Sequence, residues 1–357
     1  MSRSAASRQP CSSVAAVRRA VACALLASTV PAPAEEILYV HNTNSGEISK
    51  IAIPEHEVIG TIPIGLYMDY VAAAPDGRVL YVNRIESLGV GRATNIGVSG
   101  ELIAVSTATD EILWRVPIDG MTHHMSVSKD GRHVFVPLYD TWWIAVVDTE
   151  KRAVTKKIFF GHGGHGSKLS ADGKRLYVGS MMNDIIGIID TETLEMVDRI
   201  GFPDGVRPFT LTRDESRMYV QLSRTHAFAV VDPRQRKVLR MVPMPSLGRK
   251  VEGDEFYPHN VDHGIALTPD ETLLFANGSA IDVVSVFTHP ALEHVKSIPV
   301  GRDPNSIAFS KDGRFAYVTN RKEDTLSILD TAKLEEVKRL TLGDLPQRMV
   351  VIDVPED

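Results

Sequence analysis

The stretch NSIAFSKDGRFAYVTNRKEDTLSILDTAKLEEVKRLTL, Asn305–Leu342, decides the fold. It contains four runs in which apolar and polar residues alternate: NSIAFS, RFAYVTN, TLSILDT and EEVKRLTL. Period-2 alternation marks half-buried strands, and the short polar breaks between the runs, such as Lys311-Asp312-Gly313, mark tight turns. The segment therefore reads as four strands in a meander, called A, B, C and D below.

The same unit recurs along the chain. An Asp followed by Gly or Glu stands at Asp76, Asp130, Asp172, Asp214, Asp270 and Asp312, at intervals of 54, 42, 42, 56 and 42 residues. A second marker keeps the period: VVDT at Asp148, IIDT at Asp190, VVDP at Asp232 and ILDT at Asp330. Four strands in some forty residues is the size of one β-propeller blade. Seven A strands and seven B-C-D sets can be counted. The chain enters on B-C-D (ILYVHN, GEISKIAI, VIGTIPI) and ends on an A strand (PQRMVVID). The expected fold is an all-β, seven-bladed propeller over residues 35–357, its last blade completed by both ends of the chain, which leaves no open sheet edge.

YVTN at Tyr317–Asn320, with the variants YVHN at Tyr39, YVNR at Tyr81 and YVGS at Tyr177, resembles the signature of the YVTN-type β-propeller repeat family. The likeness runs through the whole of 35–357. More distantly, that family resembles the propellers of cytochrome d1, nitrous oxide reductase and the amine dehydrogenase heavy subunit. The resemblance implies the fold and leaves function open, since such propellers include binding proteins, redox enzymes and lyases.

Residues 1–34 read as a secretory signal: Arg18 and Arg19 precede the apolar run AVACALLASTV, and Ala32-Pro33-Ala34 is a small-residue cleavage site. A periplasmic or secreted protein is expected. No later segment approaches the length of apolar chain needed to span a bilayer. Both cysteines, Cys11 and Cys23, lie in the signal. The propeller is left without disulfides, thiolate ligands or a Cys-x-x-Cys-His haem attachment, so no c-type haem is expected. The formal charge of −6 without basic clusters argues against nucleic acid.

The function-bearing signal is GHGGHGSKLSADG, Gly161–Gly173, with two histidines in a Gly-rich turn. Counting back seven residues from each Asp marker aligns Asp69, His123, His165, Arg207, His263 and Asn305, and matching Pro346 to Pro304 adds Gln347. A propeller's D-to-A loops open on its channel, so these residues are expected to ring one mouth. Eight of the twelve histidines fall on that face by the same register: His41, His123, His124, His162, His165, His226, His259 and His263. Both enlarged intervals fall there too, in RIESLGVGRATNIGVSG (84–100) and PSLGRKVEGDEFYPHNV (245–261). Rigid scaffolds carry binding loops in such places.

Several readings follow. The channel binds a small, anionic ligand, with Asp69, Arg207, Asn305, Gln347, Tyr139 and Trp142 as ligand contacts. A transition metal (Cu, Zn or Fe) could be held by His123, His165 and His263, with His162 and His259 as further donors, since imidazole suits those ions. A metal-dependent hydrolase, lyase or oxidoreductase would use the same mouth, with Asp69, His124 or His259 moving protons. A protein-interaction platform on the rim is the third reading. The blandest is a polar channel that holds only water. GHGGHG lacks the Lys-Ser/Thr ending of a phosphate loop and leads into a strand. No G-x-S-x-G elbow is present.

Overall fold

The structure, a computed structural model, describes residues 35–87, 99–251 and 261–355, and Ala34–Asp357 form one compact unit. The described residues build seven four-stranded antiparallel sheets. Six sheets follow chain order. In the seventh, the strand Pro346–Val354 pairs with Glu35–Asn42, with Ile37 opposite Ile352 and Tyr39 opposite Val350. Glu47–Ile53 and Glu57–Pro63 complete that sheet. The expected ring closure is thus present. Among the described residues the only helical turn is the 3-10 segment Ser279–Ile281, and no helix is long and apolar enough to cross a membrane.

The A strands of neighbouring blades touch one another, which puts them at the axis. Apolar side chains pack between blades rather than in a single core. Ile48 and Ile62 of the closing blade meet Val71, Leu80 and Ile103 of the next, and Leu326 and Ile328 of the last blade meet Leu38 and Ile51. The tyrosines of the repeat, Tyr39, Tyr177, Tyr219 and Tyr317, are fully buried in these layers. Burying each large apolar side chain is worth about 1.5–3 kcal/mol, so the ring gains most when every blade has two neighbours.

The two sequence markers interlock. In the third blade Asp130 Oδ1 accepts the Arg132 amide and Asp148 Oδ1 accepts the Glu150 and Lys151 amides, which closes both turns. The hydroxyl of Thr149 then donates to the carbonyl of Gly131 at 2.9 Å. Thr191 to Gly173 and Thr331 to Gly313 repeat the bond at 2.8 and 2.7 Å. The Asp residues that carry the period serve the turns, as Asp does where it bonds the backbone two residues on.

One departure from strict alternation shapes the site. Most of the A strands carry a bulge at their channel end: Gly164 and Ser167 lie opposite Ser180 and Val178, Val206 and Phe209 opposite Leu222 and Val220, and Pro304 and Ile307 opposite Asn320 and Val318. The same occurs at Met349 and Pro346 against Val40 and Asn42. A bulge sets an extra residue against its partner strand, so neighbours in sequence no longer point to strictly opposite sides.

Candidate functional site

Two blades bring consecutive residues to the channel, Asp69-Tyr70 and His123-His124, and a cluster of imidazoles forms around one guanidinium. Arg348 is 6% exposed. Its Nε donates to His124 Nε2 at 2.9 Å, one Nη donates to His263 Nε2 at 3.0 Å, and the other donates to the Asn305 side-chain oxygen. Its backbone amide donates to His41 Nε2 at 3.0 Å.

A guanidinium can only donate, so these contacts fix the protons around it. Nε2 of His124 and His263 must be bare, which leaves their protons on Nδ1. Nδ1–H of His263 accordingly donates to the Asn305 carbonyl at 3.0 Å. The Asn305 amide must turn its oxygen to Arg348, so its NH2 group needs a different acceptor. Among the described residues that buried nitrogen has no acceptor, and His165 Nδ1 has no partner either.

The histidines stand close together. Ring centroids are 4.1 Å apart for His124 and His165, 5.2 Å for His123 and His165, and 5.9 Å for His165 and His263. Tyr70 stacks on His124 at 4.6 Å. Burial first, and then the charge of Arg348, holds the pKa of His124 and of His263 well below the histidine range. For His165 burial leads, followed by His123, Arg207 and Arg348. Burial lowers His41 to about 3. His124 and His263 thus solvate the guanidinium as neutral acceptors, while His41 accepts the Arg348 backbone amide.

Charge in the cluster is lopsided. Burial lowers the pKa of Arg348 to about 10, Asp69 and Tyr70 oppose that fall, and the Arg321 and Arg207 guanidiniums add to it. Asp69 lies 3.2 Å from His123 Nδ1. Burial alone would raise the Asp69 carboxyl, but His123 and Arg348 hold it below the usual carboxylate range. Arg207 is 4% exposed and donates to Ser223 Oγ at 3.0 Å and to Met181 sulfur at 3.3 Å. No carboxylate hydrogen-bonds to Arg348 among the described residues. A cavity of about 190 Å³ opens beside it, lined among others by Tyr70, His124, Lys168, His263, Asn305 and Arg348.

The aligned ring of the sequence is therefore largely one cluster, with one shift. In the closing blade Arg348 reaches the histidines. Gln347 is half-buried and its carbonyl accepts the Thr319 hydroxyl at 2.7 Å. Tyr139 is buried edge-on to His123 and lies 6.0 Å from His162, with its hydroxyl on Met182 sulfur. Trp142, 56% exposed, packs with Phe159 on the rim and lies apart from the cluster. Gly163 explains part of the Gly-rich turn: its φ is +78°, and a Cβ there would stand 2.5 Å from the Met182 side chain. His226 bonds Asp262 through Nδ1 at 2.9 Å and Pro245 through Nε2 at 3.4 Å, which ties both ends of the enlarged D-to-A connection. His259, most of the 84–100 insertion, the middle of 245–261 and residues 1–34, where a leader is expected, lie outside the described residues.

Both nitrogens of His263 are engaged, and Nε2 of His124 faces a cation. Among the described residues no three His, Cys, Asp or Glu side chains form a group arranged to hold a metal ion. As arranged, the cluster fits a guanidinium and does not fit a three-imidazole Cu, Zn or Fe centre.

Residues 84–253 match the family described as YNCE-like beta-propeller. That segment, just under half of the chain, is similar to a YNCE-like propeller and lies within the seven-bladed ring. The segment contributes His123, His124, His165 and Arg207 to the cluster, while Asp69, His263, Asn305 and Arg348 come from outside it. Among solved structures, the chain is similar to the Pseudomonas aeruginosa periplasmic gluconolactonase PpgL, with 17% identity over 90% of this chain and 100% of that chain and a TM-score of 0.72. It is similar to Kuenenia stuttgartiensis hydrazine synthase at 18% identity, 79% of this chain and 94% of that chain, TM-score 0.63. Dihydro-heme d1 dehydrogenase NirN, in complex with DHE, aligns at 15% identity over 85% of this chain and 63% of that chain, TM-score 0.60. At these identities the likeness is one of fold. No curated protein matches the sequence.

Proposed function

We propose that this is an exported propeller that binds a small anion in its histidine-lined channel, with Arg348 as the principal recognition group and Arg207 adding positive potential. The observation that carries this reading is the environment of Arg348: a buried cation bonded to two neutral imidazoles and an amide, and hydrogen-bonded to no carboxylate. Buried charges are costly unless paired, and a fork of guanidinium donors beside a cavity suits a carboxylate or another planar or tetrahedral oxyanion. The stranded NH2 of Asn305 supplies one more donor toward an acceptor that the protein itself does not provide.

Export rests on the sequence of residues 1–34. The metal-dependent enzyme is the second reading, supported by the crowding of His123, His124, His165 and His263, and it requires Arg348 to release His124 and His263. Asp69 or His124 would then be the proton carrier. The rim platform is the third.

A thermal-shift screen separates these readings. Protein exported through its own leader is purified without chelator or histidine tag, then heated with monocarboxylates, dicarboxylates, sulfate and neutral sugars. The account expects saturable stabilisation by anions and none by the sugars, because a ligand bound only by the folded state raises the midpoint. Elemental analysis of the same preparation showing about one equivalent of Cu, Zn or Fe, with no anion effect, would favour the enzyme. No anion effect and no metal would leave the rim, and deletion of residues 86–98 would become the next variant.

A further inference from the structure

The cavity beside Arg348 contains a second cation that the ring alignment does not include. Lys168 lies on the innermost strand Gly164–Leu169, opposite Tyr177, three residues beyond His165. It lines the same cavity as Arg348 and Asn305, and it also lines a second cavity of about 210 Å³ with Arg213 and Glu215. The residue therefore borders both cavities. The side chain is exposed to solvent at the cavity, and desolvation by the surrounding protein lowers its pKa. Among the described residues no carboxylate pairs with it. Glu215, which shares the second cavity, is bonded to the Ala171 amide. The first cavity, at about 190 Å³, is far above the roughly 10–15 Å³ that one ordered water needs.

We infer that the ligand carries two negative groups, one held by Arg348 and Asn305 and the other by Lys168, so that the channel selects small dianions such as short dicarboxylates over monoanions. The inference rests on the anion-binding reading above and adds the class of ligand. The chemistry divides the work. The planar fork of Arg348 and the Asn305 NH2 suit one carboxylate edge, whereas a lysine acts as a point charge that tolerates several geometries. Two separated cations facing one cavity also set a preferred spacing between the ligand's charges.

The test is calorimetric titration with malonate, succinate, glutarate and propionate, on the natural chain and on Lys168→Met, Lys168→Arg and Arg348→Met. The expected result is at least tenfold tighter binding of one dicarboxylate than of propionate, with an optimum chain length. Lys168→Met should lower the dicarboxylate-to-propionate affinity ratio at least tenfold, and Lys168→Arg should restore most of it. Arg348→Met should remove binding of both classes. If Lys168→Met folds normally and leaves the ratio intact, Lys168 is no ligand contact and the inference is overturned while anion binding stands. Equal affinity of the natural chain for mono- and dicarboxylates would overturn it as well. Binding of neither class would sink the anion reading together with the inference.

Discussion

Arg348→Met is expected to weaken anion binding by at least a hundredfold while the propeller stays folded. Each charge-assisted hydrogen bond is worth about 1.5–3 kcal/mol, so losing two arms of the fork costs about 3–6 kcal/mol, or roughly two to four powers of ten in affinity. Opposed terms set the effect on stability. His124 Nε2, His263 Nε2 and the Asn305 oxygen lose their donor, at about 1–3 kcal/mol each if they stay dry. Against this, a buried charge whose desolvation costs several kcal/mol is removed. The adjoining cavity lets water reach the vacated acceptors, so the net change should stay small. Arg348→Lys keeps the charge and loses the fork, and its affinity should fall between the two. The check is a titration paired with a denaturant midpoint. Tight binding by a folded Arg348→Met protein would remove Arg348 from recognition.

Acid should destabilise this protein steeply, beginning below about pH 6.5. His41, His124, His165 and His263 all have folded pKa values held below that of a free histidine, by burial above all. The unfolded chain therefore takes up protons that the folded chain refuses. Stability rises with pH wherever the unfolded state binds more protons, so here it is lost as pH falls from 6.5 toward the folded values, which reach about 3 for His41. Each imidazole contributes up to about 1.4 kcal/mol per pH unit, and four together up to about 5 kcal/mol per unit once pH is well below 6.5. A domain stable by about 5–15 kcal/mol should then unfold within two or three pH units. Denaturant titrations at pH 7, 6 and 5 check this. The triple variant His124→Gln, His165→Gln, His263→Gln should show a slope reduced to about a quarter. A stability that is flat from pH 7 to pH 5 would mean that the imidazoles are already charged or hydrated in the native protein.

The fold was legible because a blade is a local object. Its four strands carry period-2 alternation, and its turns need Asp at Asp130 and Asp148 for reasons of backbone hydrogen bonding, so the period survives where the rest of the sequence diverges. Closure was legible because the chain starts on B and ends on A. The histidine cluster was legible for the same reason: a constant offset from a turn marker gives a constant height in the channel. Arg348 is not legible in this way, since alternation assigns one residue per blade to the axis and a bulge shifts the next residue toward it. Tyr70 and Arg348 each sit one place beyond an aligned ring position. Only partner geometry, such as Pro346 opposite Asn42 while Met349 faces Val40, discloses the shift. Lys168 was hidden differently. It lies farther down its strand than the aligned loop residues, and nothing in SKLS distinguishes a channel lysine from a surface one. Trp142 follows Tyr139 in sequence, but its ring packs with Phe159 on the rim.

The most direct test of the central claim is anomalous diffraction from crystals of the tag-free protein soaked in selenate. The account expects a selenium peak in the cavity, its oxygens about 2.7–2.9 Å from the Arg348 guanidinium and the Asn305 NH2, with His124 and His263 still accepting from Arg348. An anomalous peak about 2.0–2.1 Å from nitrogens of three of these histidines, with Arg348 displaced from them, would contradict it and establish a metal centre instead.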